Sequence, residues 1–322
     1  MYLIRFDMRA PDHGAPTTEL YPAALEMASW GEENGCVAVV VSEHHSSPDG
    51  YLPSPLILAT AIAARTSRTF INVAAVLLPL YDPIKLAEDM VVLDILSRGR
   101  VSYTLGMGYR DEEYAMFGIE RKRRGKILEA KLEALQKALS AEPFEYEGRP
   151  VHVTPRPFTP GGPTLAMGGG SLVAARRAAR FGLDLFASAG TPGLEEAYRE
   201  EAKKCGREPG SCRVPGDEPT TVFVAEDVER AWEKIGPYLL HDAKTYGAWL
   251  KDQDAASKSV ASTIDELRAE RGAYRIVTPA EAAEMIRKYG ILSMQPLCGG
   301  APPELGWESL RLVADKVVPS LA

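Results

Sequence analysis

The sequence predicts an α/β fold, specifically a TIM (β/α)8 barrel with loop insertions, and three observations lead to it. Short apolar runs rich in β-branched residues recur along the chain, and such runs are typical of strands buried on both faces. Helical patterns separate them, which implies right-handed crossovers and a parallel sheet. The length of 322 residues suits one such barrel. A doubly wound open sheet is the alternative.

The strands are predicted from apolar runs that turn residues bound on both sides. Their first residues are Tyr2, Cys36, Phe70, Val101, Pro163, Leu183, Thr220 and Ile291, which makes eight strands. Eight strand–helix units in a chain of this length are what a TIM barrel requires. The segment Phe144–Val153 is predicted to be a small hairpin or an excursion outside this repeat.

The helices are predicted from apolar residues at helical spacing and from capping residues. They span Thr18–Glu33, Ser54–Ala64, Pro83–Leu96, Asp111–Phe117, Arg121–Ala141, Leu172–Phe181, Leu194–Cys205, Asp227–Leu240, Pro279–Tyr289 and Pro302–Val318. Asp82 is the predicted N-cap of the third helix, with Pro83 at its first position. Ser171 is the predicted N-cap of the helix that follows the glycine run.

The stretch between His241 and Tyr274 is polar and charged. We predict a single domain over residues 1–322 with a polar insertion at about 249–272. One interpretation is a solvated surface excursion, because few of its residues could pack. The other is a mobile lid over an active site.

Charge and cysteine content exclude several classes of protein. A net charge of −7 argues against general nucleic-acid binding. No apolar run approaches the ~18 residues of a membrane span, and the first residues lack a signal-peptide layout. The four cysteines have no zinc spacing, and Cys36 and Cys298 are expected to be buried free thiols of a reducing compartment. We therefore expect a cytoplasmic protein that binds neither nucleic acid nor membrane.

Titratable residues follow the buried strand Cys36–Val41. Glu43, His44 and His45 lie at its carboxyl end, where the chemistry of parallel α/β folds is placed. The three could hold a metal, although adjacent residues of a strand point to opposite sides. They could equally act in acid–base catalysis, since histidine titrates near neutrality. The structural alternative is a histidine that braces the loop by a hydrogen bond.

Two further segments suggest an anion site. Gly168, Gly169, Gly170 and Ser171 stand between a strand and a helix, where free amides can bind phosphate. The alternative is a tight turn capped by Ser171. Basic residues crowd the start of the long helix, and cations there oppose the helix dipole. A bound phosphate would offset that cost, with Arg124 as the inward-pointing cation.

These stretches together resemble the bacterial luciferase-like family of flavin-dependent monooxygenases. The resemblance is carried by SEHHSS at Ser42–Ser47, by Ala74–Arg100, by GMGYRDEEYAMFG at Gly106–Gly118, by GGGS at Gly168–Ser171 and by LCGG at Leu297–Gly300. It covers nearly the whole chain in the right order. It implies a TIM barrel with FMN bound at the carboxyl ends of the strands.

The resemblance also implies roles for individual residues. His44 would be a base near the reactive flavin carbon, with His45 beside it, and a cis peptide would join Ala74 to Ala75 beneath the flavin ring. The implied cofactor-binding residues are Ala74, Ala75, Gly108, Tyr109, Arg124, Gly168, Gly169, Gly170 and Ser171. At Gly106-Met107 the chain departs from luciferase, which has cysteine and arginine there. Light emission is therefore not expected.

The implied reaction uses reduced FMN and dioxygen to oxidise a small organic substrate. The reduced flavin would come from a partner flavin reductase, in agreement with the lack of a GxGxxG fingerprint. A homodimer is expected, as in other family members. Two alternatives remain open: a reductase or dehydrogenase that uses the deazaflavin coenzyme, and a flavin-binding protein without turnover.

Overall fold

The computed structural model describes residues 1–251 and 255–321. The strands in these ranges are β1 (Tyr2–Phe6), β2 (Cys36–Val41), β3 (Phe70–Leu77), β4 (Val101–Gly106), β5 (Phe144–Tyr146), β6 (Arg149–Val151), β7 (Thr164–Gly168), β8 (Asp184–Phe186), β9 (Cys212–Arg213), β10 (Thr221–Val224), β11 (Tyr274–Val277) and β12 (Leu292–Met294). The helices are α1 (Thr17–Glu33), α2 (Pro55–Arg65), α3 (Pro83–Ser97), α4 (Asp111–Met116), α5 (Arg124–Leu139), α6 (Leu172–Phe181), α7 (Leu194–Lys204), α8 (Val228–Leu250), α9 (Ile264–Glu270), α10 (Pro279–Tyr289) and α11 (Pro303–Leu312).

The chain forms two compact units. The first unit comprises Met1–Pro53 and Pro215–Ala322, and the second comprises Ser54–Val214. In the first unit the strands are parallel, in the order β11-β10-β12-β1-β2. Ile4 of β1 is in register with Met294, and Phe6 with Val41. Parallel pairing aligns the carboxyl ends of these strands, so the loops after β1 and β2 leave from the same edge.

The strands of the second unit are also parallel, in the order β3-β4-β7-β8-β9. Leu105 of β4 is in register with Met167 of β7. The loops that follow these two strands therefore begin side by side. Strands β5 and β6 form an antiparallel hairpin, which confirms the hairpin predicted for that segment.

The structure confirms the predicted strands and two of the predicted caps, although four of the strands begin one residue later than predicted. Each predicted strand is present, and Asp82 accepts hydrogen bonds from the backbone N–H groups of Ile84 and Lys85, each at 2.9 Å. Ser171 accepts from the N–H of Ala174 at 3.2 Å. Both side chains satisfy amides that have no partner within the helix.

Two predictions about the stretch after Leu240 were wrong. Helix α8 does not end there but continues to Leu250, helix α9 lies within the polar stretch, and strand β11 begins where the stretch ends. The side chain of Leu267 in α9 is buried in the apolar core of the first unit, as is Ala261. More residues of this stretch are therefore buried than its polar composition predicts. Residues 252–254 of the predicted insertion lie outside the described residues, and its role as a lid stays a prediction, as does the single-domain organisation.

Among the described helices, none has the length and apolar character needed to cross a membrane. Cys36 and Cys298 are buried and form no disulfide, as the sequence predicts. Strand β9 was not predicted, because a two-residue strand leaves no periodic signal.

Candidate active site

A buried arginine occupies the polar core of the first unit. Arg9 follows β1, is fully buried, and donates from Nε to Asp242 Oδ1 at 2.7 Å and from Nη1 to Asp49 Oδ2 at 2.5 Å. Its backbone N–H donates to Asp7 Oδ1 at 3.1 Å. Burial alone would lower the pKa of Arg9, but Asp242 and the other nearby charges raise it well above its usual value. Arg9 is therefore a fixed positive charge inside the unit.

Three aromatic rings surround the Arg9 guanidinium, and we call Tyr51, Tyr246 and Trp249 the aromatic cage. The guanidinium carbon lies 4.6 Å, 5.2 Å and 4.5 Å from their respective ring centroids. The hydroxyls of Tyr51 and Tyr246 are 2.8 Å apart and share a hydrogen bond. Ring faces attract cations, and the attraction is stronger where water is excluded. Arg9 thus holds the aromatic cage together as well as neutralising carboxylates.

The His44 side chain lies against the same aromatic cage. Its ring centroid is 4.7 Å from Trp249, 4.8 Å from Tyr51 and 6.0 Å from Tyr246. The residue is buried, and its backbone N–H donates to Leu52 O at 3.1 Å. The structure therefore places an imidazole at the carboxyl end of β2 among rings that exclude water, where it can hold or move a proton.

His45 and Glu43 are placed differently from His44. His45 Nε2 lies 2.6 Å from Glu43 Oε1, and both residues are buried. A histidine and a carboxylate bound to each other fix the loop that follows β2. This arrangement is the bracing role considered for one of the two histidines, and the three residues do not converge on one point as metal ligands would.

Asp7, which follows β1, has a raised pKa. Burial, and next the negative charge of Asp242, raise the pKa of Asp7 to about 7, against the opposing charge of Arg9. Gln295 Nε2 donates to Asp7 Oδ2 at 2.9 Å, and the Gly299 N–H donates to the same oxygen at 3.2 Å. Asp7 is therefore the carboxyl group of this network that can carry a proton near neutrality.

Asp7, Asp242 and Cys298 have possible ligand atoms within 4.8 Å of one another. Arg9 and the Tyr274 hydroxyl already bind the two oxygens of Asp242, the latter at 2.8 Å. Burial also raises the pKa of the Cys298 thiol well above its usual value, which disfavours the thiolate that binds metals. We interpret this group as a buried ion-pair network.

In the second unit, the glycine run leads from β7 into α6. Gly169 has a φ of +132°, and a Cβ there would lie 3.0 Å from the Ala174 Cβ. A Cβ on Gly170 would lie 3.0 Å from the Ala189 Cβ. Both positions therefore favour glycine, which lets the chain lie close to its neighbours here.

Two arginines lie on α5 and α6 of the same unit. Arg124 is half-buried at the start of α5, and its side chain forms no ion pair or hydrogen bond with any residue in the described ranges. Arg177 of α6 is buried, donates from Nε to Glu129 Oε1 at 2.8 Å, and has Nη1 3.9 Å from the Met107 sulfur. A Cβ on Gly125 would lie 3.4 Å from Arg177 Nη2. Arg177 therefore lies beside the first turn of α5.

The remaining predicted cofactor residues also lie in the second unit. The peptide bond between Ala74 and Ala75 is cis, as the resemblance implied. Gly108 has a φ of +69°, and a Cβ there would lie 3.5 Å from Glu113 Oε2. Tyr109 is half-buried in the loop after β4. Their contact with a cofactor stays a prediction.

Sequence reasoning missed Arg9, Tyr51, Asp242, Tyr246 and Trp249, as well as Arg177. Three of them lie on the part of α8 that was expected to be a polar segment. Apolar or aromatic residues do continue at helical spacing through that part, and this was the available signal. The ion pair of Arg9 joins residues 233 positions apart, and nothing local in the sequence marks such a pair.

The family assignment comes from comparison with known proteins. The sequence profile described as "Luciferase-like monooxygenase" matches residues 2–291. The chain belongs to this family. The luciferase-like relatives include the alkanal monooxygenase alpha chain of Photorhabdus laumondii, 24% identical over 53% of this chain and 49% of that protein. Limonene 1,2-monooxygenase of Rhodococcus erythropolis is 26% identical over 92% of this chain and 80% of that protein.

This luciferase-like chain spans about half the length of the first curated relatives that it matches. A solved structure supports the fold over the full length. It is the oxygenating constituent of 3,6-diketocamphane monooxygenase from Pseudomonas putida, a type II Baeyer-Villiger monooxygenase in complex with FMN. The TM-score is 0.73 at 21% identity, over 100% of this chain and 99% of that one. The likeness confirms the predicted fold class.

Proposed function

We propose that this chain is a flavin-dependent monooxygenase that uses reduced FMN and dioxygen to oxidise a small organic substrate. The observation that carries the proposal is the placement of His44, a buried imidazole enclosed by the aromatic cage at the carboxyl end of β2. Membership of the luciferase-like family and the FMN in the Pseudomonas putida structure support it. A partner flavin reductase and a homodimer belong to the same proposal.

Residues of the second unit fit the phosphate of FMN. Arg124 has no carboxylate partner among the described residues, and Arg177 lies beside it on α6. The glycine run ends at Ser171, which caps the Ala174 amide at the start of α6, and helix N-termini attract anions. A dianionic phosphate would offset the unfavourable placement of Arg124 at the positive end of α5. These residues would bind the cofactor, and they would not take part in the chemistry.

In the first unit, His44 is the group that would move a proton. When bound, reduced flavin supplies the electrons with which dioxygen is activated. His44 would accept or return a proton while the aromatic cage excludes water from its surroundings. Arg9 keeps the aromatic cage in place, and the Glu43–His45 pair fixes the loop.

The proposal is tested by titrating the chain with FMN and with the deazaflavin coenzyme. Charge-assisted contacts contribute ~1.5–3 kcal/mol each, so Arg124→Ala should weaken FMN binding by about tenfold or more. Arg123→Ala is the matched control, because Arg123 is an exposed neighbour at the same helix start. It should bind FMN nearly as the wild type does.

Preference for the deazaflavin coenzyme, or equal losses in the two arginine variants, would contradict the proposal. A second measurement separates a monooxygenase from a flavin carrier. The chain loaded with reduced FMN is incubated with candidate substrates aerobically and anaerobically. Product must depend on dioxygen, and product that forms anaerobically would indicate hydride transfer instead.

A further inference from the structure

An open cavity of about 570 Å³ lies against α8 in the first unit. This volume is in the range of pockets that bind small organic molecules. Trp249 lines the cavity, and the same ring lies 4.7 Å from the His44 ring. The cavity is thus separated from the imidazole of the proposed reaction by one side chain.

The carboxylate in the cavity wall already has partners for its charge. Asp49 Oδ2 accepts from Arg9 Nη1 at 2.5 Å and from His241 Nε2 at 2.8 Å, and Oδ1 accepts from Ser47 Oγ. Burial alone would raise the pKa of Asp49, but the hydrogen bond from His241 and the charge of Arg9 outweigh it and hold that pKa below its usual range. Asp49 is therefore ionised, and donors from Arg9, His241 and Ser47 already occupy its oxygens.

Lys244 of α8 lines the cavity with a positive charge that a ligand could use. Its side chain is exposed, and within the described residues it forms no ion pair. His13 and His241 also line the cavity, with ring centroids 5.4 Å apart. Since an ionised Asp49 can only accept, Nε2 of His241 carries the hydrogen of this hydrogen bond. One ammonium and two imidazoles thus face the cavity.

Apart from Ser47 and Thr245, the rest of the wall is apolar. Pro48, Pro237, Leu240, Ala248 and Trp249 supply it. Proline rings and an indole present flat surfaces, against which a planar apolar body packs well. A ligand of the cavity should therefore combine such a body with an anionic end.

We propose that this cavity binds a small organic acid, with its carboxylate at Lys244 and the two histidines and its planar apolar body against Trp249 and the prolines. The acid would be the substrate that the monooxygenase oxidises. Only this last step rests on the proposed function. Binding of the acid itself needs no flavin, so it is tested on the flavin-free chain.

The experiment compares benzoate with its neutral isostere benzamide, by ligand-detected NMR titration of the full chain. Benzoate should bind the wild type at least about tenfold more tightly than benzamide. Lys244→Met should weaken benzoate binding by about three- to tenfold and leave benzamide unchanged, because a charge-assisted contact is lost. Lys234→Met is the control, since Lys234 is exposed on the same helix but does not line the cavity.

Equal affinities of the two probes would overturn the inference. So would equal losses in the two lysine variants, or no benzoate binding up to about 20 mM. These outcomes do not depend on the flavin titrations. If the chain binds benzoate but not FMN, the acid-binding cavity stands and the monooxygenase proposal is refuted. If it binds FMN but not benzoate, the monooxygenase proposal stands and the acid-binding cavity is refuted.

Discussion

Replacing Arg9 by methionine tests whether the buried ion-pair network stabilises the first unit. Methionine fills most of the same volume but leaves Asp242 and Asp49 buried without their cation. Removing one partner of a buried pair costs ~3–5 kcal/mol, because the remaining charge is uncompensated. The contacts with the aromatic cage add up to ~2 kcal/mol where they are dry. The expected loss is therefore at least ~3 kcal/mol, a large share of the ~5–15 kcal/mol of a typical domain.

The assay is urea unfolding at pH 7, followed by tryptophan fluorescence and by circular dichroism. If the unpaired charge is the cause, the double variant Arg9→Met/Asp242→Asn should recover part of the loss, because one carboxylate is neutralised. Arg9→Lys keeps the positive charge but cannot donate from two nitrogens at once. Its free energy of unfolding should therefore lie between those of the wild type and Arg9→Met. A loss below ~1 kcal/mol in Arg9→Met, or a double variant no more stable than the single one, would refute the reasoning.

Two other predictions concern His44 and Asp7. His44→Ala should bind FMN nearly normally but slow single-turnover product formation by ~10²–10⁴-fold. The control is His152→Ala, because His152 is exposed. If turnover by His44→Ala is undiminished, His44 is not the base. Because the pKa of Asp7 is raised to about 7, its contribution to stability is full below its unfolded pKa and is lost as pH rises towards 7. In Asp7→Asn, the urea unfolding midpoint should fall less between pH 5 and pH 7 than it does in the wild type. If it falls as much, a group other than Asp7 causes the loss of stability.

The sequence was informative wherever the signal was local. The apolar run Cys36–Val41 predicted β2, and the turn to Glu43, His44 and His45 located the loop at its carboxyl end. Ser171 predicted the start of α6 in the same way. These inferences depend only on neighbouring residues, so they needed no knowledge of the rest of the chain.

The partners of His44 could not be predicted, because each is brought to it by folding. Trp249 lies on a stretch whose polar residues suggested a loop, and yet Asp242 in that stretch is buried since Arg9 neutralises it. Leu267 looked too isolated to pack but is 1% exposed in the core. Polarity predicts exposure only when the charge has no distant partner.

The position of β1 between β2 and β12 has a consequence for the order in which the chain can fold during synthesis. Ile4 pairs with Met294, so the ribosome must add some 240 further residues after Pro53 before β1 has both neighbours. At about 5–20 residues per second, that delay is roughly 10–50 s. During it the edge of β1 that later binds β12 stays unpaired, which is when a nascent chain is open to chaperones or to mispairing. Ser54–Val214, by contrast, is contiguous in sequence and is complete well before β12 emerges.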